Sequence, residues 1–312
     1  MEKTETTYEL KIVFNTKAPV AAKQILMTWF RQEGVTSFVE GALDDVDQLQ
    51  SANEDLSQRP VKEIESNSPL YIYSYDKDYL EGLKIKLLSQ INPGILQCFV
   101  GSMTTKSWQL DWQKNFEPVV SERFVVLAPW HDRKNFQDKE HVIIEPGLAF
   151  GTGQHETTQL CLEAIEKLEL PIRSVLDVGT GSGVLAIAAE KTFSCPVDAI
   201  DIDRDAVIAS QKNANINNCS HINIWQDGVP FASKKSDVST YDLILANILC
   251  PVLLEMLPHL FRLLTPGGKL VMSGVLSDEQ EILLEKAVSV GLKFVAVEQR
   301  NAWIAAYFEK VD

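Results

Sequence analysis

Residues 175–191 read VLDVGTGSGVLAIAAEK: an apolar run interrupted by one acid, a glycine turn, then small apolar residues at helical spacing. Strand, glycine turn and helix in this order place a ligand over a helix N-terminus at the carboxyl end of a sheet. The glycine spacing narrows the ligand. Gly179, Gly181 and Gly183 form G-x-G-x-G, whereas dinucleotide binders carry G-x-G-x-x-G, and Asp177 stands two positions ahead of the turn. An acid so close to the turn opposes a pyrophosphate and suits a ligand with a cationic end. S-adenosylmethionine has an ammonium and a sulfonium and no phosphate. The same glycines would also serve a purely structural turn, so the neighbouring residues decide.

Working outward, the chain alternates regularly. Helices are expected at 157–168, 182–191, 204–217, 251–264 and 277–290, and strands at 174–178, 197–202, 221–225, 241–247 and 269–275. Such alternation implies a parallel sheet with helices on both faces, a doubly wound α/β domain. KFVAVEQR and WIAAYFE, with no helical pattern between them, suggest a closing antiparallel hairpin.

Three strand ends add polar groups. Asp201 closes the second strand about twenty residues after the turn, where a carboxylate can accept from both hydroxyls of a ribose. Asp203 precedes RDAVIAS and reads as a helix cap. Asp227 follows the third strand and could meet an adenine amino group or serve as the turn acid of QDGVP. Asn247 ends YDLILAN, and from that edge its amide can orient an incoming amine or cap the next turn.

Upstream, GTGQHETT (151–158) has the glycines and hydroxyls of a phosphate loop but no Lys ahead of Thr157 or Thr158, so a triphosphate site is not expected. Before it, SWQLDWQKNF places Trp108, Trp112 and Phe116 four apart, an aromatic stripe expected to pack on a domain. RFVVLAPW and HVIIEP read as strands. The amino-terminal part shows YELKIVF, a helix from Pro19 to about Gln32, SFVEGAL, an acidic polar stretch from Asp44 to Ser68, PLYIYSY, a helix near 77–90 and ILQCFVG. Strand, helix, strand, strand, helix, strand is the order of a ferredoxin-like unit. The expected organisation is a ferredoxin-like domain over 1–103, an aromatic linker over 104–130 and the α/β domain over 131–312.

The 312 residues carry 43 acidic and 29 basic side chains, a net charge of −14. That balance opposes direct contact with nucleic acid and favours a cationic partner such as a lysine-rich protein, although it also serves solubility alone. Cys98, Cys161, Cys195, Cys219 and Cys250 are scattered without a C-x-x-C pair, and no H-x-x-x-H spacing occurs, so no metal is expected. The polar start MEKTETTYEL and the lack of an eighteen-residue apolar run point to a cytoplasmic protein with no membrane span.

Together EPGLAFGTGQHETT, VLDVGTGSGVLAIAA, AIDIDRDAVIASQKNA, LILANIL and LTPGGKLVMSG, preceded by W-x-x-x-W-x-x-x-F and LAPW, resemble the PrmA family. This family methylates the eleventh protein of the large ribosomal subunit. The resemblance spans roughly 108–275 and implies a class I S-adenosylmethionine-dependent fold. It also implies cofactor contacts at Thr158, Gly179, Asp201 and Asn247, and N-methylation of lysine side chains on that ribosomal protein, with its N-terminal amine as a further candidate. Asp177, Gly181, Gly183 and Asp227 complete the expected cofactor site, and Asn247 is the expected catalytic residue. The chain departs from the family pattern at Glu156, where Pro is usual, and at Thr180, where Cys is usual. A methyltransferase acting on a small molecule or another protein, and a cofactor-binding module without activity, are the alternatives. A nicotinamide-dependent oxidoreductase is disfavoured by the glycine spacing.

Overall fold

The structure, a computed structural model, describes residues 7–14, 26, 29–30, 35, 39–40, 70–74, 76–90, 96–103, 116–146, 150–169, 171–229 and 240–311. The acidic stretch 44–68, Trp108 and Trp112, and most of the expected helix 19–32 lie outside the described residues. Two compact units divide the chain, Met1–Phe116 and Glu117–Asp312.

The first unit contains β1 (Thr7–Phe14), β2 (Val39–Glu40), β3 (Leu70–Ser74), helix α1 (Lys77–Gln90) and β4 (Leu96–Met103). Its sheet runs β2-β3-β1-β4, and every pairing is antiparallel. Period-two alternation buries Leu10 and Ile12 on one face of β1. Leu80, Leu83 and Leu87, spaced along one stripe of α1, join them in a core with Leu70, Ile72 and Cys98. The carboxylate of Asp76 starts α1 by accepting from the backbone N–H groups of Asp78 (2.9 Å) and Tyr79 (3.1 Å).

The second unit opens with a small sheet of β5 (Val119–Val120), β6 (Phe124–Leu127) and β7 (Glu140–Ile143), ordered β5-β6-β7, with β6 and β7 parallel. Of the expected linker over 104–130, residues 117–130 fall in this second unit. Residues 119–120 and 124–127 are strands of this unit; the run FVVL is fully buried, with Phe124 and Val126 in the core that α2 and α3 share. Then come α2 (Glu156–Lys167), β8 (Val175–Val178), α3 (Val184–Phe193), β9 (Val197–Asp201), α4 (Arg204–Ile216) and β10 (Ile222–Gln226). The chain finishes with β11 (Tyr241–Asn247), α5 (Cys250–Leu263), β12 (Leu264–Leu276), α6 (Gln280–Ser289), β13 (Leu292–Arg300) and β14 (Trp303–Lys310).

The main sheet runs β10-β9-β8-β11-β12-β14-β13. Strands β8 to β12 are mutually parallel, and β14 lies antiparallel between β12 and β13, as the helix-free terminal pair implied. Central strands alternate between two cores. Val175, Leu243 and Leu245 pack with α2 and α3, while Leu176, Val178, Ile244 and Ala246 pack with α5 and α6. Such two-sided burial explains why these strands read as unbroken apolar runs. The largest boundary difference is in β12, which begins at Leu264, paired with Tyr241, and takes TPGG in as an irregular start ahead of Lys269.

Candidate active site

Three neighbouring strands, β9, β8 and β11, each bring one polar side chain to the same carboxyl edge: Asp201, Asp177 and Asn247. Between β8 and α3 the glycine turn is held by the adjoining strand, with the N–H groups of Gly179 and Thr180 donating to the carbonyl of Ile200 (2.9 and 3.0 Å). Gly179 (φ +71°) and Gly181 (φ +55°) are left-handed, which side chains with a Cβ adopt at a cost. Space is also closed there. A Cβ on Gly179 would collide with the Ile248 side chain, and one on Gly181 would stand 2.5 Å from the carbonyl oxygen of Phe150. Gly183 sits at the N-cap of α3 and offers no side-chain cap, so the first turn of that helix meets the turn with backbone alone.

Asp177 is buried, and its Oδ2 accepts the Thr180 hydroxyl proton at 2.7 Å. Thr180, the departure from the family's Cys, thus has a partner that a hydroxyl suits. Burial pushes the Asp177 carboxyl up to about 7; the Thr180 hydroxyl and the Ala186 backbone N–H oppose the rise and the nearby charge of Asp201 adds to it. Its second oxygen, Oδ1, is buried with no donor in full hydrogen-bond geometry, the Ala186 N–H being a weaker neighbour of the carboxyl. A buried carboxylate oxygen left unmatched is costly, and an ammonium group placed beside it would satisfy it.

Asp201, also buried, accepts from the N–H of Gly181 (Oδ2, 2.9 Å) and of Asp203 (Oδ1, 2.9 Å). Its carboxyl lies above the ordinary range because burial outweighs these two bonds. A carboxylate has about four acceptor positions, so both oxygens keep capacity for a diol. Asp203 caps α4 as the sequence implied, accepting from Asp205 N–H at 2.8 Å. Asp227 lies beyond β10, where Oδ1 accepts from Gly228 N–H (2.9 Å) and Oδ2 from the Trp225 indole (3.2 Å). The turn-acid reading of that residue therefore has direct contacts behind it.

Asn247 ends β11 one residue beyond the pairing of Ala246 with Val178, which sets it beside the start of the glycine turn. Its Nδ2 approaches Thr158 Oγ1 at 3.5 Å, the outer limit of a hydrogen bond. Thr158 is buried in the first turn of α2. The expected site residues on the GTGQHETT loop and on β11 are thus brought together.

Several participants were missed by sequence reasoning. Ser182, between two turn glycines, donates its N–H to the Phe150 carbonyl (2.8 Å) and its hydroxyl to the Gly151 carbonyl (2.6 Å), tying the loop onto the turn. His155 caps α2 by accepting from Thr157 N–H (3.3 Å), and its ring lies between Phe150 (centroids 5.5 Å) and Trp303 (5.0 Å). Glu156, the second departure, accepts from Asn301 at 3.0 Å, and Arg300 binds Gln159 and Glu163 of the same helix. A hydroxyl inside a glycine turn was the one local signal for Ser182. The partners of α2 in the hairpin lie over a hundred residues away and left none.

The sequence model of the family described as "Ribosomal protein L11 methyltransferase (PrmA)" matches residues 6–311. The chain belongs to this family. The match reaches well beyond 108–275 and takes in the amino-terminal unit. A ribosomal protein L11 methyltransferase of Staphylococcus aureus is 30% identical over 317 residues, covering 97% of this chain and 98% of the relative. One from Macrococcus caseolyticus is 34% identical over 235 residues, covering 74% of this chain and 75% of its own length. The solved structure of a ribosomal protein L11 methylase from Lactobacillus delbrueckii subsp. bulgaricus is similar with a TM-score of 0.56 at 30% identity. It covers 63% of this chain and 100% of that one. PrmA membership accounts for the class I α/β sheet of the second unit.

Proposed function

We propose that this chain is an S-adenosylmethionine-dependent N-methyltransferase whose acceptors are amino groups of ribosomal protein L11, lysine side chains foremost and the N-terminal amine with them. The observation that carries the reading is the convergence of Asp177, Asp201 and Asn247 from three adjacent strands onto the glycine turn, in a chain that matches the PrmA family over residues 6–311.

S-adenosylmethionine supplies an activated methyl group on a sulfonium. The residues of this chain bind and align. The open oxygen of Asp177 takes the ammonium, the remaining acceptor capacity of Asp201 takes the ribose hydroxyls, and Thr158 with the turn amides closes the site. Asn247, using its amide oxygen, orients the attacking nitrogen so that its lone pair faces the methyl. Fixing both partners in line is worth up to ~7–11 kcal/mol of the barrier. A lysine amine has an ordinary pKa of about 10.4, so it must lose a proton before it attacks. Burial at this edge favours the neutral form.

The amino-terminal unit is read as a ferredoxin-like domain that selects the substrate. Its sheet order β2-β3-β1-β4, antiparallel throughout, with α1 between β3 and β4, supports that reading. The net charge of −14 favours a lysine-rich protein as partner. Titration calorimetry tests the cofactor: S-adenosylhomocysteine should bind and nicotinamide dinucleotides should not. Tight nicotinamide binding without a response to S-adenosylhomocysteine would refute the assignment.

A further inference from the structure

Helix α4 and its C-cap present two buried asparagines one turn apart, Asn213 in the helix and Asn217 at the cap, to the backbone that leads into the active-site loop. Along 143–145 the backbone N–H groups alternate in direction. That of Ile144 donates to the Leu127 carbonyl of β6 (2.8 Å), whereas those of Ile143 and Glu145 donate to Asn217 Oδ1 and Asn213 Oδ1 (both 2.9 Å). The Asn217 amide nitrogen returns a bond to the Ile143 carbonyl (2.6 Å). Two side chains thus supply the pairing that a neighbouring strand would give.

Asn213 does more than complete a strand edge. While its oxygen accepts from Glu145, its nitrogen donates to the carbonyl of Ser182 at 2.8 Å, inside the glycine turn. Ser182 in turn donates through N–H and hydroxyl to Phe150 and Gly151. Glu145, Phe150 and Gly151 are therefore all tied to one residue of the turn, the first through Asn213 and the other two directly. Lys212 pairs with Glu145 at 3.2 Å on the exposed side and adds little.

We propose that Ser182 and Asn213 are positioning residues that set the loop carrying Thr158 against the glycine turn, and so tune cofactor affinity without touching the acceptor. The inference rests on the S-adenosylmethionine reading above. Asn213 is suited to this because a side-chain amide carries its donor and its acceptor on two separate atoms, so one short side chain reaches two backbone groups at once. Aspartate keeps the bond from Glu145 but turns an oxygen toward the Ser182 carbonyl, and leucine loses both.

The test compares the full-length protein with Asn213→Asp, Ser182→Ala and, as a stability control in the core on the other sheet face, Leu260→Val. For each, the midpoint of thermal unfolding, the affinity for S-adenosylhomocysteine, and KM for S-adenosylmethionine and kcat with L11 are measured. Asn213→Asp should raise both Kd and KM about tenfold, with kcat at saturating cofactor nearly unchanged, while Leu260→Val lowers the midpoint and leaves KM unchanged. If Asn213→Asp does not fold, Ser182→Ala decides, with a threefold or larger loss of affinity expected, roughly one lost hydrogen bond. Folded variants with wild-type KM and Kd would overturn the proposal. Failure of the unmodified protein to bind S-adenosylhomocysteine would overturn the cofactor reading and this inference with it.

Discussion

Asp177 combines three properties seldom found together: full burial, one satisfied oxygen and one buried oxygen with no donor in full hydrogen-bond geometry. Its carboxyl, pushed up to about 7 from an ordinary 3.8, binds a proton more tightly in the folded chain than in the unfolded one. Its contribution to stability is therefore present below the unfolded value and is lost as pH rises through about 7, by at most ~1.4 kcal/mol per pH unit. A bound ammonium acts in the opposite sense, favouring the ionised carboxylate. The expected outcome is that S-adenosylhomocysteine affinity increases between pH 5.5 and 7.5, with release of a proton detectable by calorimetry in buffers of different ionisation enthalpy. Asp177→Asn should weaken binding and flatten that dependence. Asp201→Ala should weaken cofactor binding by roughly 1.5–3 kcal/mol, because ribose hydroxyls and the Gly181 amide all lose a charged acceptor; retention of wild-type affinity would remove Asp201 from the site. These acids were legible because each stands beside its strand end in the sequence. The Ser182–Asn213 bond was not, since it joins residues 31 apart whose approach depends on how α4 docks.

At the scale of elements, α2 links the site to the terminal hairpin. Its start is fixed by the His155 cap, the His155–Trp303 ring contact and the bonds from Arg300 and Asn301. Replacing His155 with Ala removes the cap and the ring contact together, and an N-cap loss alone costs ~0.5–2 kcal/mol. A lower unfolding midpoint together with weaker cofactor binding is expected, because Thr158 sits in the turn that the cap organises. An unchanged affinity would separate the cap from the site. The helix itself was visible from the periodicity of TTQLCLEAIEKL, and the hairpin from two strand-like runs without a helix between them. Their meeting was not visible, because antiparallel insertion of β14 beside β12 is a property of the whole sheet. For the same reason RFVVL was readable as a strand while its membership in the second unit was not.

For the whole molecule, each unit has a hydrophobic core of its own, Leu10, Ile72 and Leu80 in the first and the two cores flanking the main sheet in the second. The fragment 117–312 is thus expected to fold and to bind S-adenosylhomocysteine as the full chain does, and to lose methylation of L11 if the first unit selects the substrate. Equal labelling of L11 by both would assign selection to the second unit. The most direct test of the central claim is transfer of radiolabelled methyl from S-adenosylmethionine to purified ribosomal protein L11 by the full-length protein, with Asn247→Ala alongside. Label is expected on lysine or N-terminal nitrogen of L11, with at least a tenfold lower kcat for Asn247→Ala and cofactor affinity largely kept. A folded, cofactor-binding protein that leaves L11 unlabelled, or an Asn247→Ala variant as fast as the unmodified chain, would contradict it.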